Sequence, residues 1–465
     1  MLGVLPIIES KKTPKHTIFI TVDGARYEYL KRIPTPNIHF LIDNGVSYQD
    51  AVSGSCINGT SQGIATLSTG LPVKDHGICS SYEWYDKKTG MLIYFYDSEK
   101  DILHLGPPTI GDFLKRKNPA AKVASISSKD RHALLMAGKQ ADIIAYSYRE
   151  VVSKRHFFGA FSGAGVSDDH YSWQERANHS LPAYLEHTKQ KRYVDWKGKT
   201  FVHPAIDVAD TALIDIFIMD NALKILENEK PDLLCIGLVS TNITAHFYGI
   251  YSGELEDAVT VIDTQIGRLT KKLKDMGWYE DSLIVIASDH GMNERPIGVD
   301  VMTLFKKEGH SDIYDNISYF SSGATGGLYL HDTSTEVIEK TTGVLKQMDH
   351  IKEAWYKNDP AAPWYVRRFA HDRSPDILII PEFDGIIIEE GFTEPKVAVN
   401  HGPPYRPDAN IWLIFSGAGV KKLGTVGEKF DYDCTELITD KEIETLPEQL
   451  DVVPTIRAIW GSASN

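Results

Sequence analysis

Short apolar runs alternate along the chain with longer segments in which apolar residues recur every three or four positions. The short runs predict buried strands, and the longer segments predict amphipathic helices. Predicted strands cover residues 17–22, 122–126, 233–239 and 283–287. Predicted helices cover residues 34–44, 60–68, 108–115, 129–136, 210–227 and 254–276. This alternation is typical of an α/β fold with a largely parallel central sheet and helices on both faces.

Two regions break the alternation and predict insertions into the core. Residues 148–207 are rich in His, Tyr, Trp, Gly and Ser and predict a long insertion. Residues 293–395 combine short apolar runs with one helical segment, and predict a cap over the functional site. Because 465 residues exceed one ordinary core, we expect residues 13–292 and 396–465 to form the core domain that the cap covers.

Composition and charge narrow the class of protein. Hydrophobic residues make up 42% of the chain and charged residues 24%, as in soluble globular proteins. The net charge of −14 argues against nucleic-acid binding, because a phosphate backbone is held by clustered Lys and Arg. No apolar stretch is long enough to cross a bilayer, so no membrane association is expected.

The N terminus and the cysteines predict a cytoplasmic protein. The apolar segment Met1–Ile8 lacks a basic start and is interrupted by Pro6, so it does not predict a signal peptide. The four cysteines show no Cys-x-x-Cys spacing, which predicts neither a disulfide framework nor a thiolate metal cluster. A reducing compartment is the simpler expectation.

Metal-binding side chains follow several of the predicted strands. Asp23 directly follows the first strand, and Asp289-His290 directly follow the strand at 283–287. Ligands of a parallel sheet gather beyond the carboxyl ends of its strands, and carboxylates and imidazoles suit a zinc-like divalent ion. Further donors in comparable positions are Thr60, His246 and His401.

The donors divide into two sets. One consists of Asp23, Asp289, His290 and the Thr60 hydroxyl, and the other of His246, His401 and a donor from the turn at 240–242. Two metal ions can stabilise both the attacking and the leaving oxygen of an in-line displacement. Thr60 would then be the nucleophile, because metal coordination lowers the pKa of an otherwise inert hydroxyl.

Each donor also has a simpler explanation. Asp23-Gly24 is typical of a turn, and Thr60 is a favoured helix N-cap. His246 could be a packed core histidine and His401 a loop residue. Asp289-His290 is the stronger signal, because two ionisable groups beside a very apolar strand are costly unless they are paired or metal-bound.

Several short motifs resemble those of the alkaline phosphatase superfamily. They are Thr21-Val22-Asp23-Gly24, Thr60 followed by Thr69-Gly70, His76-Gly77-Ile78, Ser288-Asp289-His290-Gly291-Met292 and His401-Gly402. Within that superfamily they resemble the type I phosphodiesterase/nucleotide pyrophosphatase branch. The stretch from His76 to Leu135 is most similar to phosphonoacetate hydrolase.

The resemblance implies a metal-dependent hydrolase of phosphonate or phosphate compounds with two zinc ions. The implied metal ligands are Asp23, Thr60, Asp289 and His290 for one ion, and Asn242, His246 and His401 for the other. Thr60 corresponds to the nucleophile, while Lys129, Arg131 and Ser81 correspond to residues that hold the anionic substrate. The implied partner is a small phosphate or phosphonate anion, and the resemblance is compatible with a homodimer.

Two positions depart from the family pattern. Asn242 stands where an Asp ligand is expected, and Ser81 or Ser80 where an Asn is expected. A neutral amide is the weaker ligand, so the second metal should bind less tightly or differ in kind. A phosphomonoesterase of the same superfamily and a low-activity or non-catalytic metal-binding protein therefore remain as alternatives. A mutase-like Ser nucleophile is not evident, and Cys56–Thr60 does not fit the sulfatase motif.

Overall fold

A central sheet of nine strands organises the chain in the computed structural model. The structure describes residues 3–9, 13–54, 57, 59–97, 102–148, 172–175, 192–194, 200–202, 212–392 and 399–461. The strands of the central sheet are His16–Val22 (β1), Gly45–Tyr48 (β2), Val123–Ser127 (β3), Ile143–Tyr148 (β4), Ser172–Glu175 (β5), Leu233–Leu238 (β6), Ser282–Ala287 (β7), Leu413–Gly417 (β8) and Gly424–Val426 (β9).

The middle of this sheet is parallel, as predicted. Its order is β9-β2-β8-β7-β1-β6-β3-β4-β5. Strand β1 pairs in parallel with both β6 and β7, so that Phe19 lies opposite Cys235 on one side and Val285 on the other. Strand β8 is antiparallel to β7 and β2, and β5 is antiparallel to β4. The α/β fold class is confirmed.

Helices cover both faces of the sheet because its buried strands are apolar on both sides. Phe19 belongs to one apolar cluster, with Ile64, Leu134 and Ile456, and its neighbour Ile18 belongs to a second cluster on the opposite face. The helices are Glu28–Arg32, Pro36–Asp43, Thr60–Thr69, Val73–His76, Ile110–Lys117, Asp130–Ala137, Ala212–Glu229, Ser240–Tyr248, Gly253–Asp275, Val301–Lys307, Ser311–Asp315, Thr335–Leu345, Trp364–Phe369, Arg406–Ala409, Asp440–Ile443 and Val452–Ile459, with short 3-10 helices at Tyr279–Asp281 and Gln449–Asp451.

The region predicted as a cap has a sheet and an apolar cluster of its own. Its four antiparallel strands, in spatial order, are Ile317–Ser321, Gly326–Leu330, Ile377–Pro381 and Ile351–Tyr356. Their apolar side chains pack with those of the helices Val301–Lys307 and Thr335–Leu345. The domain boundaries at 13–292, 293–395 and 396–465 stay a prediction, and the predicted insertion at 148–207 lies largely outside the described residues.

Short two-stranded pairs complete the secondary structure. They are Glu83–Asp86 with Met91–Tyr94, Tyr96–Asp97 with Ile102–Leu103, Arg192–Val194 with Thr200–Val202, Asn293–Glu294 with Val399–Asn400, and Ile297–Val299 with Gly385–Ile387. Among the helices of the described ranges, none combines the length and the apolar composition of a membrane span.

Candidate metal centre

The carboxyl ends of three adjacent parallel strands bring the predicted donors together. Asp23 follows β1, Asp289 and His290 follow β7, and Asn242 and His246 lie in the helix Ser240–Tyr248 directly after β6. Because β1 pairs with both β6 and β7, these side chains share one edge of the sheet. Asp23, Asn242, Asp289 and His290 are buried, and His246 is half-buried.

Thr60 approaches this edge on a helix that packs directly against the Asp289 backbone. It is the first residue of the helix Thr60–Thr69. A Cβ atom at Gly63, one turn further on, would lie 2.2 Å from the Asp289 carbonyl oxygen, so only glycine permits the close packing. The Thr60 hydroxyl consequently lies 3.4 Å from His290 Nε2.

The first donor set has the spacing of ligands around a common cation. His290 Nε2 lies 3.4 Å from Asp23 Oδ1 and 3.4 Å from Asp289 Oδ2, which matches its distance from the Thr60 hydroxyl. These separations are too long for strong hydrogen bonds. Four ligands of a tetrahedral zinc ion, at about 2.0–2.1 Å from the metal, would lie about 3.4 Å from one another. The Asp23, Asp289 and His290 ligand atoms all lie within 4.8 Å of one another.

Two carboxylate oxygens of this set have no hydrogen-bond partner. Within the part of the chain that the structure describes, the buried Asp23 Oδ1 and Asp289 Oδ2 accept no hydrogen bond. The other Asp289 oxygen accepts backbone N–H bonds from Gly24 at 3.0 Å and His290 at 3.1 Å. Burying unpaired carboxylate oxygens is costly. The residues therefore fit a divalent ion between Asp23, Asp289 and His290.

Backbone hydrogen bonds fix the tautomers of His290 and His246, so that each ring presents a nitrogen lone pair to the site. His290 Nδ1 lies 2.8 Å from the Gly291 carbonyl oxygen, and His246 Nδ1 lies 2.5 Å from the Val399 carbonyl oxygen. Each Nδ1–H donates to its carbonyl, which leaves the Nε2 lone pair for a metal. Burial lowers the pKa of His290 to about 3 and that of His246 to about 4, so both rings are neutral at pH 7.

The two carboxylates of the first set have opposite pKa shifts. Burial raises the pKa of Asp289 well above its usual value, and the neighbouring Asp23 charge raises it further. Burial also opposes the ionisation of Asp23, but the Lys129 ammonium and the His132 ring hold its pKa well below the usual value. Asp23 is therefore ionised, and a further cation beside Asp289 would favour the ionised form of that carboxyl.

The second donor set, Asn242, His246 and His401, contains no carboxylate. The Asn242 amide nitrogen lies 3.4 Å from His246 Nε2, and the His246 and His401 ring centroids are 5.3 Å apart. The His401 ring also stacks on His290 at 3.5 Å between centroids, so it links the two sets. The structure brings all seven predicted metal-binding residues to one place.

The three residues predicted to bind substrate have different surroundings. Lys129 Nζ lies 2.5 Å from Asp23 Oδ2 and 3.0 Å from Asn242 Oδ1, inside the donor cluster. The Arg131 guanidinium lies 4.6 Å from the centre of the Tyr82 ring. The Ser81 hydroxyl donates to the Gln62 side chain at 3.3 Å.

Sequence reasoning did not assign a role to His132, which positions Asp23. Its Nε2 lies 3.1 Å from Asp23 Oδ2 and its Nδ1 lies 2.9 Å from the Thr21 hydroxyl. The available signal was its place one helical turn after Lys129, beside a strand end. The role of Gln449 was not predicted either. Its side-chain amide donates to the Ser288 and Asp289 carbonyl oxygens from a 3-10 helix that is distant in sequence. No local sequence motif indicates this contact.

Comparison with known families identifies the family to which the chain belongs. Residues 17–404 match the family described as type I phosphodiesterase/nucleotide pyrophosphatase, which is most of the chain. The chain belongs to this family. It is therefore a member of the alkaline phosphatase superfamily, in the type I phosphodiesterase branch, and the predicted resemblance is confirmed.

Two alkaline phosphatases are among the relatives of this family member. Alkaline phosphatase PhoD of Zymomonas mobilis is 24% identical over 73% of the chain, which spans 60% of the length of PhoD. Alkaline phosphatase PafA of Elizabethkingia meningoseptica is 23% identical over 91% of the chain and 92% of PafA.

Solved structures share the fold. A crystal structure of PafA superposes with a TM-score of 0.73 at 17% identity, covering 97% of each chain. The phosphonoacetate hydrolase of Sinorhizobium meliloti 1021, in complex with phosphonoformate, has a TM-score of 0.63 at 17% identity, covering 97% of this chain and 99% of that one. At this identity the likeness shows the common fold. The family and its homologues are phosphoryl hydrolases, and the superfamily uses divalent metals.

Proposed function

We propose that this protein is a zinc-dependent hydrolase of small phosphonate or phosphate anions that uses Thr60 as its nucleophile. The observation that carries the proposal is the convergence of Asp23, Asp289 and His290 beside the Thr60 hydroxyl, with two carboxylate oxygens left without partners in the described structure. The large majority of buried polar oxygens in folded proteins are paired with protein donors or ordered water.

The chain's own residues would hold and attack the phosphoryl group. The Thr60 hydroxyl releases its proton to solvent, and its Oγ1 forms a bond to phosphorus while the bond from phosphorus to the leaving group breaks. The leaving group departs with the electrons of that bond and takes up a proton from solvent. Water then hydrolyses the phosphothreonine, which releases the phosphoryl group and restores the Thr60 hydroxyl. A divalent ion, when bound, lowers the pKa of the Thr60 hydroxyl and offsets the charge of the transferring group. Thr60 begins a helix of 10 residues, whose first backbone N–H groups favour an anion at this position.

The proposed metal ligands follow the two donor sets. Asp23, Asp289, His290 and Thr60 would hold one ion, and Asn242, His246 and His401 the second, with zinc as the expected metal. Lys129, Arg131 and Ser81 would hold the non-reacting oxygens of the substrate. The buried Arg131 guanidinium stays charged, because nearby Tyr82 and Asp130 raise its pKa despite burial.

The substrate class has two candidates within this chemistry. We propose a phosphonoacetate hydrolase-like or phosphodiesterase-like activity, which the phosphonoacetate hydrolase among the structural neighbours supports. The second candidate is phosphomonoester hydrolysis, which the alkaline phosphatases among the relatives favour. Asn242 favours a slow enzyme or a non-catalytic metal-binding protein, since it removes a charge from the second set.

The proposed location is the cytoplasm. The described cysteines Cys79, Cys235 and Cys434 are free thiols, and Cys79 and Cys235 are buried. Free thiols are stable in a reducing compartment, which supports this location. The predicted homodimer and the absence of nucleic-acid and membrane partners stay predictions.

The decisive experiment compares three substrates with Thr60 variants. Protein loaded with Zn²⁺ or Mn²⁺ is assayed on phosphonoacetate, a phosphate monoester and a phosphate diester. We expect turnover of at least one substrate, and a loss of about 1000-fold or more in Thr60→Ala, because the nucleophile is gone. Thr60→Ser keeps a hydroxyl and should retain measurable activity. Equal activity of wild type and Thr60→Ala would contradict the proposed role of Thr60.

A further inference from the structure

The Lys129 ammonium contacts one residue of each donor set. Its Nζ lies 2.5 Å from Asp23 Oδ2 and 3.0 Å from Asn242 Oδ1. These two oxygens belong to residues that the proposed function assigns to metal binding. The Lys129 side chain is 13% exposed and that of Asp23 fully buried, so solvent screens this ion pair weakly.

Backbone and side-chain contacts hold Lys129 in this position. Its backbone N–H donates to the Ser127 hydroxyl at the end of β3, at 3.2 Å. That hydroxyl in turn donates to the Gly237 carbonyl oxygen on β6 at 3.1 Å. Lys129 is therefore fixed relative to the strand that leads to Asn242, and its side chain reaches the gap between β1 and β6.

The charge of the second donor set suits an ammonium better than a second divalent ion. Asn242, His246 and His401 contribute no negative charge, and Asp23 Oδ2 already contacts Lys129 and His132. One divalent ion in the first set balances Asp23 and Asp289. Among the residues that the structure describes, this cluster has no further carboxylate to balance a second divalent ion.

We propose that the Lys129 ammonium and a second divalent ion compete for one position between Asp23 and Asn242, so that the protein binds one ion tightly and another only by displacing Lys129. This role rests on the proposed metal-dependent function. Lys129 is then a cation of the metal site itself as well as a substrate-binding residue. The weak metal binding of the second set is attributed to Lys129 and Asn242, which contact each other.

Counting bound zinc in metal-buffered solution tests the competition. Wild-type protein is dialysed against a series of chelator-buffered free-zinc concentrations, and zinc per chain is measured by mass spectrometry. We expect two separate steps in wild type. In Lys129→Met the second step should shift to about 10- to 100-fold lower free zinc, because the competing charge is gone. Lys129→Arg keeps the charge and should keep the second step weak.

A second variant changes the other partner of the same contact. In Asn242→Asp the added carboxylate attracts a divalent ion more strongly than an ammonium, so the second step should again shift to lower free zinc by about 10-fold or more. Lys115→Met removes a cation that pairs with Asp142 away from the site, and should leave both steps unchanged. Circular dichroism of each variant establishes that it is folded, and Asn242→Asp keeps the test available if Lys129→Met is not.

The outcomes separate this competition from the proposed function. Two zinc ions entering wild type in a single step, or unchanged zinc binding in folded Lys129→Met, would overturn the role of Lys129 even if Thr60-dependent hydrolysis is found. If Lys129→Met does not fold, unchanged zinc binding in Asn242→Asp would overturn it. Two separate steps that shift as expected, in a protein without Thr60-dependent hydrolysis, would support the role of Lys129 and overturn the hydrolase.

Discussion

Two buried acidic clusters lie close together in the core of this protein and differ in how their oxygens are paired. In one, Arg295 Nη2 contacts both Asp408 oxygens at 2.8 and 2.7 Å, and the Gly402 N–H donates to Asp408 Oδ1 at 3.3 Å. In the other, Asp23 Oδ1 and Asp289 Oδ2 have no partner within the described structure. Both clusters are fully buried.

The difference separates a structural role from a binding role. Each Asp408 oxygen has a protein donor, and Arg295 also donates to the Phe383 and Gly385 carbonyl oxygens at 3.0 and 3.1 Å, so this cluster joins the cap region to the core. Within the described structure, the Asp23–Asp289 cluster leaves one oxygen of each carboxylate without such a donor, which fits a ligand from outside the chain. Burial alone does not distinguish the two clusters, whereas the pairing of their carboxylate oxygens does.

The largest expected effect comes from breaking the ion pair between Arg295 and Asp408. Asp408→Asn should lower the free energy of unfolding by about 3–5 kcal/mol, because it leaves the Arg295 charge buried without its counter-ion. Guanidinium unfolding of the metal-free protein measures this loss. The double variant Arg295→Met/Asp408→Leu removes both charges and should lose less. If it loses as much as Asp408→Asn, packing and not charge pairing is the main contribution of this cluster.

A smaller effect, of opposite kind, is expected in the unpaired cluster. Asp289→Asn should weaken zinc binding to the first position at least about 100-fold, or about 2.7 kcal/mol, through loss of a charged ligand. The metal-free variant should be as stable as wild type or more stable by about 1–2 kcal/mol, since it no longer buries an unpaired carboxylate oxygen beside Asp23. Zinc titration and unfolding in EDTA give the two values.

A matched control for this variant is Asp263→Asn. Asp263 is also buried, but its two oxygens accept hydrogen bonds from Asn37 and Ile38, each at 2.8 Å. We expect that control to lose stability and to leave zinc binding unchanged. If metal-free Asp289→Asn also proved much less stable than wild type, the distinction between the two clusters would be wrong.

The smallest expected effect is a pH dependence in a third, fully paired cluster. His76 Nδ1 accepts the Ile78 N–H at 3.1 Å and its Nε2 lies 3.2 Å from the Thr66 hydroxyl. Burial lowers the pKa of His76 from 6.5 to about 3. The folded state therefore binds fewer protons than the unfolded state between these values, and His76 should reduce the free energy of unfolding by about 1.4 kcal/mol per pH unit as the pH falls below 6.5.

Asn in place of His76 isolates this contribution. His76→Asn keeps an acceptor for the Ile78 N–H but cannot titrate. Unfolding of the metal-free protein between pH 6.5 and 4.5 should show a slope smaller than that of wild type by about one proton, which is about 1.4 kcal/mol per pH unit. Identical slopes in the two proteins would mean that His76 does not stay neutral in the folded state while it is protonated in the unfolded state.

The sequence predicted the frame of the site because each element carries a local signal. The apolar run at 283–287 and the residues Asp289-His290 place two donors at a strand end, and the structure has that strand at Ser282–Ala287. The helix predicted from Thr60 to 68 spans Thr60–Thr69. The antiparallel strand β8 was not predicted, since three apolar residues followed by Ser and Gly resemble other short apolar runs.

The sequence alone determined which residues could bind a metal and which strands carry them, because side-chain chemistry and hydrophobic period are local properties. Tertiary structure alone decided how those residues are paired. Lys129 reaches Asp23 and Asn242 only because β3, β6 and β1 are neighbours in the sheet. Hydrogen-bond pairing between residues more than 100 positions apart depends on strand order, which no local pattern specifies.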